Sequence, residues 1–357
     1  MASQLSFSDY EYDASGRRTR KADFLDELDR LVPWEAWAAI VREAYDDSAG
    51  RRGRPAVGAE TMLRTYLVQI CFNLSDLATE EAIVDSRAIG DFVGRGVEAP
   101  DATTLCRFRH SLEEAGVGRR LLASLESVLA ERGVRMSRGT IVDATFVESP
   151  SSTKNREHAR DPEAHQAKKG NNWHFGYKAH VGVDAETGVP HTLVTTAANA
   201  ADVNEGPALL RPGDEEAWAD AGYLGVESRE GAGGAEWHVA ARQSQVTEET
   251  RAAERLKASV RSRVEHVFHV VKGRFGIRKT RYRGLAKNDN MLGTALAVAG
   301  LIISESGPRQ QGPPEVLSAA SMAEANERAA RRAAERERKK AERAAAKGKR
   351  RAAAAPA

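Results

Sequence analysis

Three carboxylates, Asp143, Asp220 and Glu265, are the residues best suited by type and setting to do chemistry. Asp143 follows the β-forming run Thr140-Ile141-Val142, and Asp220 closes Ala217-Trp218-Ala219 just before a turn at Gly222. A carboxylate at the end of an apolar strand is unfavourable unless it caps, pairs or binds metal. Taken alone, either Asp reads equally well as a turn or capping residue. Glu265 lies on a helical pattern from Thr247 to Lys272, in one stripe with Arg261 and Lys272, because steps of four and seven residues return near the same angle at about 100° per residue. One reading is an exposed i,i+4 ion pair. The other follows from the adjacent apolar face of Val264, Phe268 and Val271. A partly packed Glu flanked by two cations suits a metal or phosphate site.

Acids without a Cys/His set point to hard cations with oxygen ligands, and the expected cofactors are two Mg²⁺ (or Mn²⁺) ions. Such a pair, about 4 Å apart, activates water or a 3′-hydroxyl and stabilises the leaving oxygen of a phosphodiester. Phosphoryl transfer needs in-line geometry and charge neutralisation more than a covalent nucleophile. The two cysteines, Cys71 and Cys106, sit in apolar helix-like patterns and give neither a zinc spacing nor a disulfide framework.

The elements that must position these acids are legible in outline. Residues 1–22 are polar. Apolar residues recur at helical spacing over Ala22–Tyr45 and Gly58–Leu77. Ser75-Asp76 offers a cap for a further helix, Asp101 precedes another carrying Arg107, Arg109 and His110, and one more helix spans Arg119–Arg132. Residues 23–135 therefore read as all-helical. From Gly139 the pattern turns to short β-like runs: Thr140–Val147, Phe175–Val183, His191–Thr196, Ala217–Asp220 and Glu236–Ala241. Asp184-Ala185-Glu186-Thr187-Gly188 is a hairpin signature. Ser149–Asn172 is polar and basic without a period. The long helix of Glu265 and an apolar helix over Met291–Ile303 follow, so residues 136–306 read as an α/β layer unit.

The chain has 357 residues, 41% hydrophobic and 29% charged, and a net charge of +2. That charge hides an asymmetry. Met322–Arg351 holds 12 basic and 5 acidic residues, a net of +7, which leaves −5 for the rest. The 307–357 tail, rich in Ala, Arg, Glu and Lys, reads as a disordered segment or a solvated single helix. No apolar run is long enough for a membrane span and no signal-peptide pattern is visible; two lone cysteines fit a reducing compartment, so a cytoplasmic protein is expected.

Many short runs resemble one family. They include Gly139-Thr-Ile-Val-Asp-Ala-Thr145, Pro150-Ser-Ser-Thr-Lys-Asn155, Trp173-His-Phe-Gly176, Lys178-Ala-His-Val-Gly-Val-Asp184, Leu193-Val-Thr-Thr-Ala-Ala-Asn199, Ala219-Asp-Ala-Gly-Tyr223, Val264-Glu-His266 and Gly284-Leu-Ala-Lys-Asn-Asp-Asn290. In order and number they resemble the bacterial insertion-sequence transposases of the DDE class, in the InsH-type group (insertion sequence 5 family), from about Leu5 to about Ser304. The resemblance implies an RNase H-like catalytic core, a mixed sheet flanked by helices, with an all-helical N-terminal domain for DNA binding and assembly. It implies the triad Asp143, Asp220 and Glu265, and the Arg261–Glu265–Lys272 spacing matches the R-x3-E-x6-K part of the family signature. Two positions depart: Ala258 stands where the wider signature has Tyr, and Val267 where Pro is frequent after Glu-His.

Expected DNA contacts are Lys154, Asn155, Lys168, Lys169, Arg261, Lys272 and Arg281, whose basic and amide side chains suit phosphates. The stretch around Lys154–Lys169 also reads as an ordinary solvated loop; its place beside Asp143 and the resemblance favour DNA. Trp173 either stacks on an exposed base or packs under the sheet. Arg107 and Arg109 sit on a candidate recognition helix. The expected function is binding of terminal inverted repeats, cleavage and strand transfer on double-stranded DNA by a homo-oligomer, dimer favoured. The alternatives are a metal-dependent nuclease without strand transfer and a non-enzymatic DNA-binding derivative.

Overall fold

In the computed structural model the described residues are 18–45, 56–94, 99–154, 158–248, 250–305 and 338. Asn155, the 46–55 loop and all of the 307–357 tail but Arg338 lie outside them, and so do the expectations that fall on those residues.

Helices come first. α1 (Arg20–Leu31) starts where the Thr19 hydroxyl accepts a hydrogen bond from the Ala22 amide, and buries Phe24, Leu25, Leu28 and Leu31. The single helix expected over 22–45 is two, because Pro33 cannot continue the ladder: α2 spans Trp34–Arg42. α3 (Ala59–Cys71), α4 (Asp76–Asp85, capped by Ser75), α5 (Arg87–Gly94) and α6 (Ala102–Glu114, capped by Asp101) follow. The helix expected over 119–132 is again two short ones, α7 (Val117–Ala123) and α8 (Leu125–Glu131).

A six-stranded sheet then forms. β1 is Gly139–Glu148, β2 His165–Lys169, β3 Asn172–Asp184 and β4 Pro190–Ala197; after the short α9 (Asp202–Glu205) come β5 (Glu216–Ala219) and β6 (Glu236–Val239). β1 pairs antiparallel with β3, and the far edge of β3 pairs first with β2 and then with β4. On its other edge β1 pairs parallel with β5, and β5 with β6. The architecture is the expected mixed sheet flanked by helices. β2 corrects the aperiodic reading of 149–172: it is an edge strand with both faces solvated, so it carries no apolar alternation.

α10 (Arg251–His269) packs on β1 and β5 and runs into a π-turn at Val270–Arg274. α11 (Leu285–Glu305) is buried along most of its length. Side chains of β1 alternate between two cores. Ile141 joins the main cluster, which includes Val260, Val264 and Val267 of α10 and the N-terminal helices. Val142 joins a smaller cluster on the opposite face with Leu209, Ala219, Tyr223 and Val226. α7 and α11 touch backbone to backbone: a Cβ on Gly118 would stand 2.1 Å from the Asn290 carbonyl oxygen.

Candidate active site

Asp143 is not at a strand end, as its neighbours suggested; it lies inside β1, opposite Val181 of β3. On the other edge, however, β5 pairs with β1 only at Gly139, Thr140 and Ile141. Between Ile141 and Glu148, where a parallel bridge to Lys279 takes over, that edge has no strand partner. Carrying the parallel register Ile141↔Trp218 onward sets Asp143 abreast of Asp220, at the roughly 4.8 Å spacing of neighbouring strands. Both acids share the parity of Ile141 and Trp218, which belong to the face on which α10 packs. Topology thus brings two acids far apart in the chain to one edge, beneath the helix that carries Glu265.

Each Asp is engaged with nearby backbone. Asp143 Oδ1 accepts from the Ala144 amide at 2.7 Å, and Asp220 Oδ1 accepts from the Gly222 amide at 2.8 Å, capping a 3₁₀ turn at Ala221–Tyr223. Burial pushes the Asp143 carboxyl up to about 6; the Ala144 amide opposes this, the charge of Asp220 adds to it, Arg261 opposes, and Glu265 adds a smaller push. The charges of Asp220 and Glu265 thus both reach Asp143. Glu265 is exposed on α10, and Arg261, one turn earlier, is half-buried with its Nε buried and lacking a hydrogen-bond partner. Tyr223, which nothing in the sequence points to beyond its place in the Ala219–Tyr223 run, is buried with an unpartnered hydroxyl within the fields of Asp143, Asp202, Asp220 and Arg261.

Among the described residues no three His, Cys, Asp or Glu side chains stand close enough to hold a metal ion as they are placed. The donor set fits a hard cation nonetheless: it is all oxygen, and its mutual repulsion is what a divalent ion would relieve.

Further along β1, from two residues past Asp143, lies a cavity of about 350 Å³, lined by Thr145, Phe146 and Glu148 of β1 and by Lys169, His174, Lys272 and Arg278. Lys272, on the π-turn, donates a 2.6 Å bond to the Phe146 carbonyl. Burial, with the charges of Lys169 and Arg278, lowers its pKa. His174 stacks on Phe146 at 4.6 Å, and its Nδ1 stands 3.0 Å from Glu148. No local pattern assigns Glu148 and His174 to a site, because they become neighbours only through the β1–β3 pairing.

The other expected contacts separate. Lys168 and Lys169 are exposed on β2, and Trp173 is 66% exposed, so it does not pack under the sheet. Arg107 is exposed on α6. Arg109 is a correction: it is 4% exposed, bonded to Asp76 at 3.0 Å and Glu113 at 2.8 Å, and lies 4.1 Å over the Tyr282 ring. Its charge is consumed inside the fold, so it leaves the DNA set. Arg281 bonds Asn73 through both Nε and Nη2, and Lys154 is exposed in a second cavity with it.

Residues 135–301 match the family model described as the transposase DDE domain. Residues 13–111 match the transposase domain of unknown function 772. No solved structure matches the chain.

Proposed function

This chain belongs to the DDE transposases, enzymes acting on DNA, and from that premise we propose that it binds the terminal inverted repeats of its insertion sequence and performs cleavage and strand transfer with Asp143, Asp220 and Glu265. The observation that supports this best is the raised carboxyl of Asp143, buried and repelled by the other two acids. Acids gathered against their own repulsion are stabilised by a cation, and perturbed groups of this kind concentrate at working sites.

Asp143, Asp220 and Glu265 would hold two Mg²⁺ or Mn²⁺ ions. When bound, such ions lower the pKa of the attacking hydroxyl and offset charge on the leaving oxygen. The chain's own residues do the rest. β1 and β5 fix the two Asp side chains at one height, while α10 presents Glu265, whose exposed side chain has the freedom to swing inward. Arg261, Lys169, Lys272 and Arg278 supply positive charge on either side of Asp143 for phosphates flanking the scissile bond. Trp173 and Lys168, exposed next to this cavity on the β2–β3 hairpin, reach DNA from that side, and Arg107 contributes from α6.

Placement in the InsH-type group rests on the motif runs. The division into a 23–135 helical assembly region and a 136–306 catalytic region, and action as a dimer, belong to the same proposal. Incubation with Mg²⁺ and a duplex carrying the element's own ends tests it: a 3′-hydroxyl cut at the boundary, followed by joining to target DNA, supports the reading. Cutting without joining favours the nuclease. Binding with neither favours the non-enzymatic derivative.

A further inference from the structure

The end of β1 leads away from Asp143 into a second cavity of about 380 Å³. It is shaped by chain segments far apart in sequence. Thr280 donates its amide to the Glu148 carbonyl at 2.8 Å, and the Glu148 amide donates to the Arg278 carbonyl at 3.2 Å, so the segment after the π-turn lies beside the last residue of β1. The Ser149 and Thr280 hydroxyls meet at 3.1 Å and are buried. Four cations line the cavity: Lys154 and Arg160, with Arg281, which also bonds Asn73, and Arg283, which also donates to the Arg160 carbonyl at 2.9 Å. The one acid among its lining residues, Asp161, already accepts from the Tyr177 hydroxyl at 2.7 Å and the Gly284 amide at 2.9 Å. Four cations against one hydrogen-bonded carboxylate, with hydroxyls among them, suit a phosphodiester.

Position gives the cavity its meaning. Asp143 and Ser149 are joined by extended chain through Glu148, which at about 3.3 Å per residue separates them by roughly 20 Å. Duplex DNA advances about 3.4 Å per base-pair step, so a duplex lying along β1 covers that distance in about six steps. The Lys169–Lys272–Arg278 cavity lies between, lined by Thr145, Phe146 and Glu148.

We propose that the cavity of Lys154, Arg160, Arg281 and Arg283 is a second anchoring site for a DNA backbone phosphate, about six base pairs from the scissile phosphate, which sets the distance between end recognition and the cut. This rests on the catalytic reading above. Lys154 and Arg160 are exposed side chains, so neutralising them spares the core.

The test is a set of end duplexes, each with a single methylphosphonate replacing one phosphate, assayed for binding and for Mg²⁺-dependent cutting by the full chain. For the wild type, a window of weakened binding is expected about six pairs from the cut, separate from the window at the cut itself. In Lys154→Ala/Arg160→Gln the distant window disappears, the slope of log affinity against log salt falls by about one for each phosphate that is no longer neutralised, and the melting temperature is unchanged. Inorganic phosphate or a mononucleotide competing at the same cavity, with no distant window on DNA, would show a site for free phosphate and overturn the proposal. So would a wild type that cuts with no distant window, or a variant that keeps it. Absence of cutting by every form, with the distant window present, would instead count against the catalytic reading and leave the anchoring site standing.

Discussion

The Lys272 ammonium donates a 2.6 Å hydrogen bond to the carbonyl oxygen of Phe146, joining the π-turn after the Glu265 helix to the strand of Asp143. A charged donor half-buried among Lys169 and Arg278 is held against repulsion, so this bond links the position of α10 to that of β1. Lys272→Met removes both the strap and the charge proposed to face a phosphate. Loss of a charge-assisted bond is worth about 1.5–3 kcal/mol, and relief of the cationic repulsion offsets part of it. A small drop in melting temperature is expected, with cutting lowered by about 100-fold, the scale of losing one electrostatic donor at a reacting centre. Thermal melts and single-turnover cutting, run side by side, check this.

Asp143 makes the metal-free protein sensitive to pH. Its folded carboxyl is raised from 3.8 to about 6. A raised acid favours the folded state while protonated: that contribution is complete below pH 3.8 and is lost as pH rises through about 6. The loss is roughly 3 kcal/mol across this window. Denaturant melts in EDTA should show stability from this group falling between those pH values in the wild type and flat in Asp143→Asn. At pH 8, Mg²⁺ should raise the melting temperature of the wild type more than that of the variant. Equal Mg²⁺ responses would remove Asp143 from the metal set.

Arg109 is a brace, with Asp76 and Glu113 as partners. Removing one partner of a buried ion pair destabilises by about 3–5 kcal/mol. Arg109→Met should unfold at markedly lower denaturant and leave the salt slope of DNA binding unchanged for the molecules still folded. Arg107→Ala should do the reverse. A salt-slope change in the Arg109 variant would return that residue to the DNA surface.

Gly118 and Gly293 let α7 and α11 meet without side chains: a Cβ on Gly293 would stand 2.7 Å from the Gly118 carbonyl carbon. This close approach docks the N-terminal helices on the helix that closes the main core. Gly118→Ala should destabilise by about 1–3 kcal/mol through overpacking. Urea unfolding measures the effect, and an unchanged midpoint would contradict the close approach.

How legible the molecule is in its sequence follows local physics. Thr140-Ile141-Val142 reads as a strand because it faces two cores, and Asp184–Gly188 as a hairpin turn because the Asp184 carboxylate accepts from the Thr187 amide at 2.8 Å. β2 is invisible because both its faces are solvated. The burial of Arg109 is invisible because its neutralising partners come from α4 and its own helix, and its aromatic cover, Tyr282, from far along the chain. The acids are readable one at a time. That Asp143 lies within a strand whose edge opens just before it depends on where β5 stops, which no local pattern records.

The most direct measurement is Mg²⁺-dependent cutting of a duplex bearing the element's ends by the wild type, Asp143→Asn, Asp220→Asn and Glu265→Gln, with end binding measured on the same samples. The account predicts a 3′-hydroxyl cut at the boundary by the wild type only, and binding by all four. Cutting at the wild-type rate by any one of the three variants would contradict it.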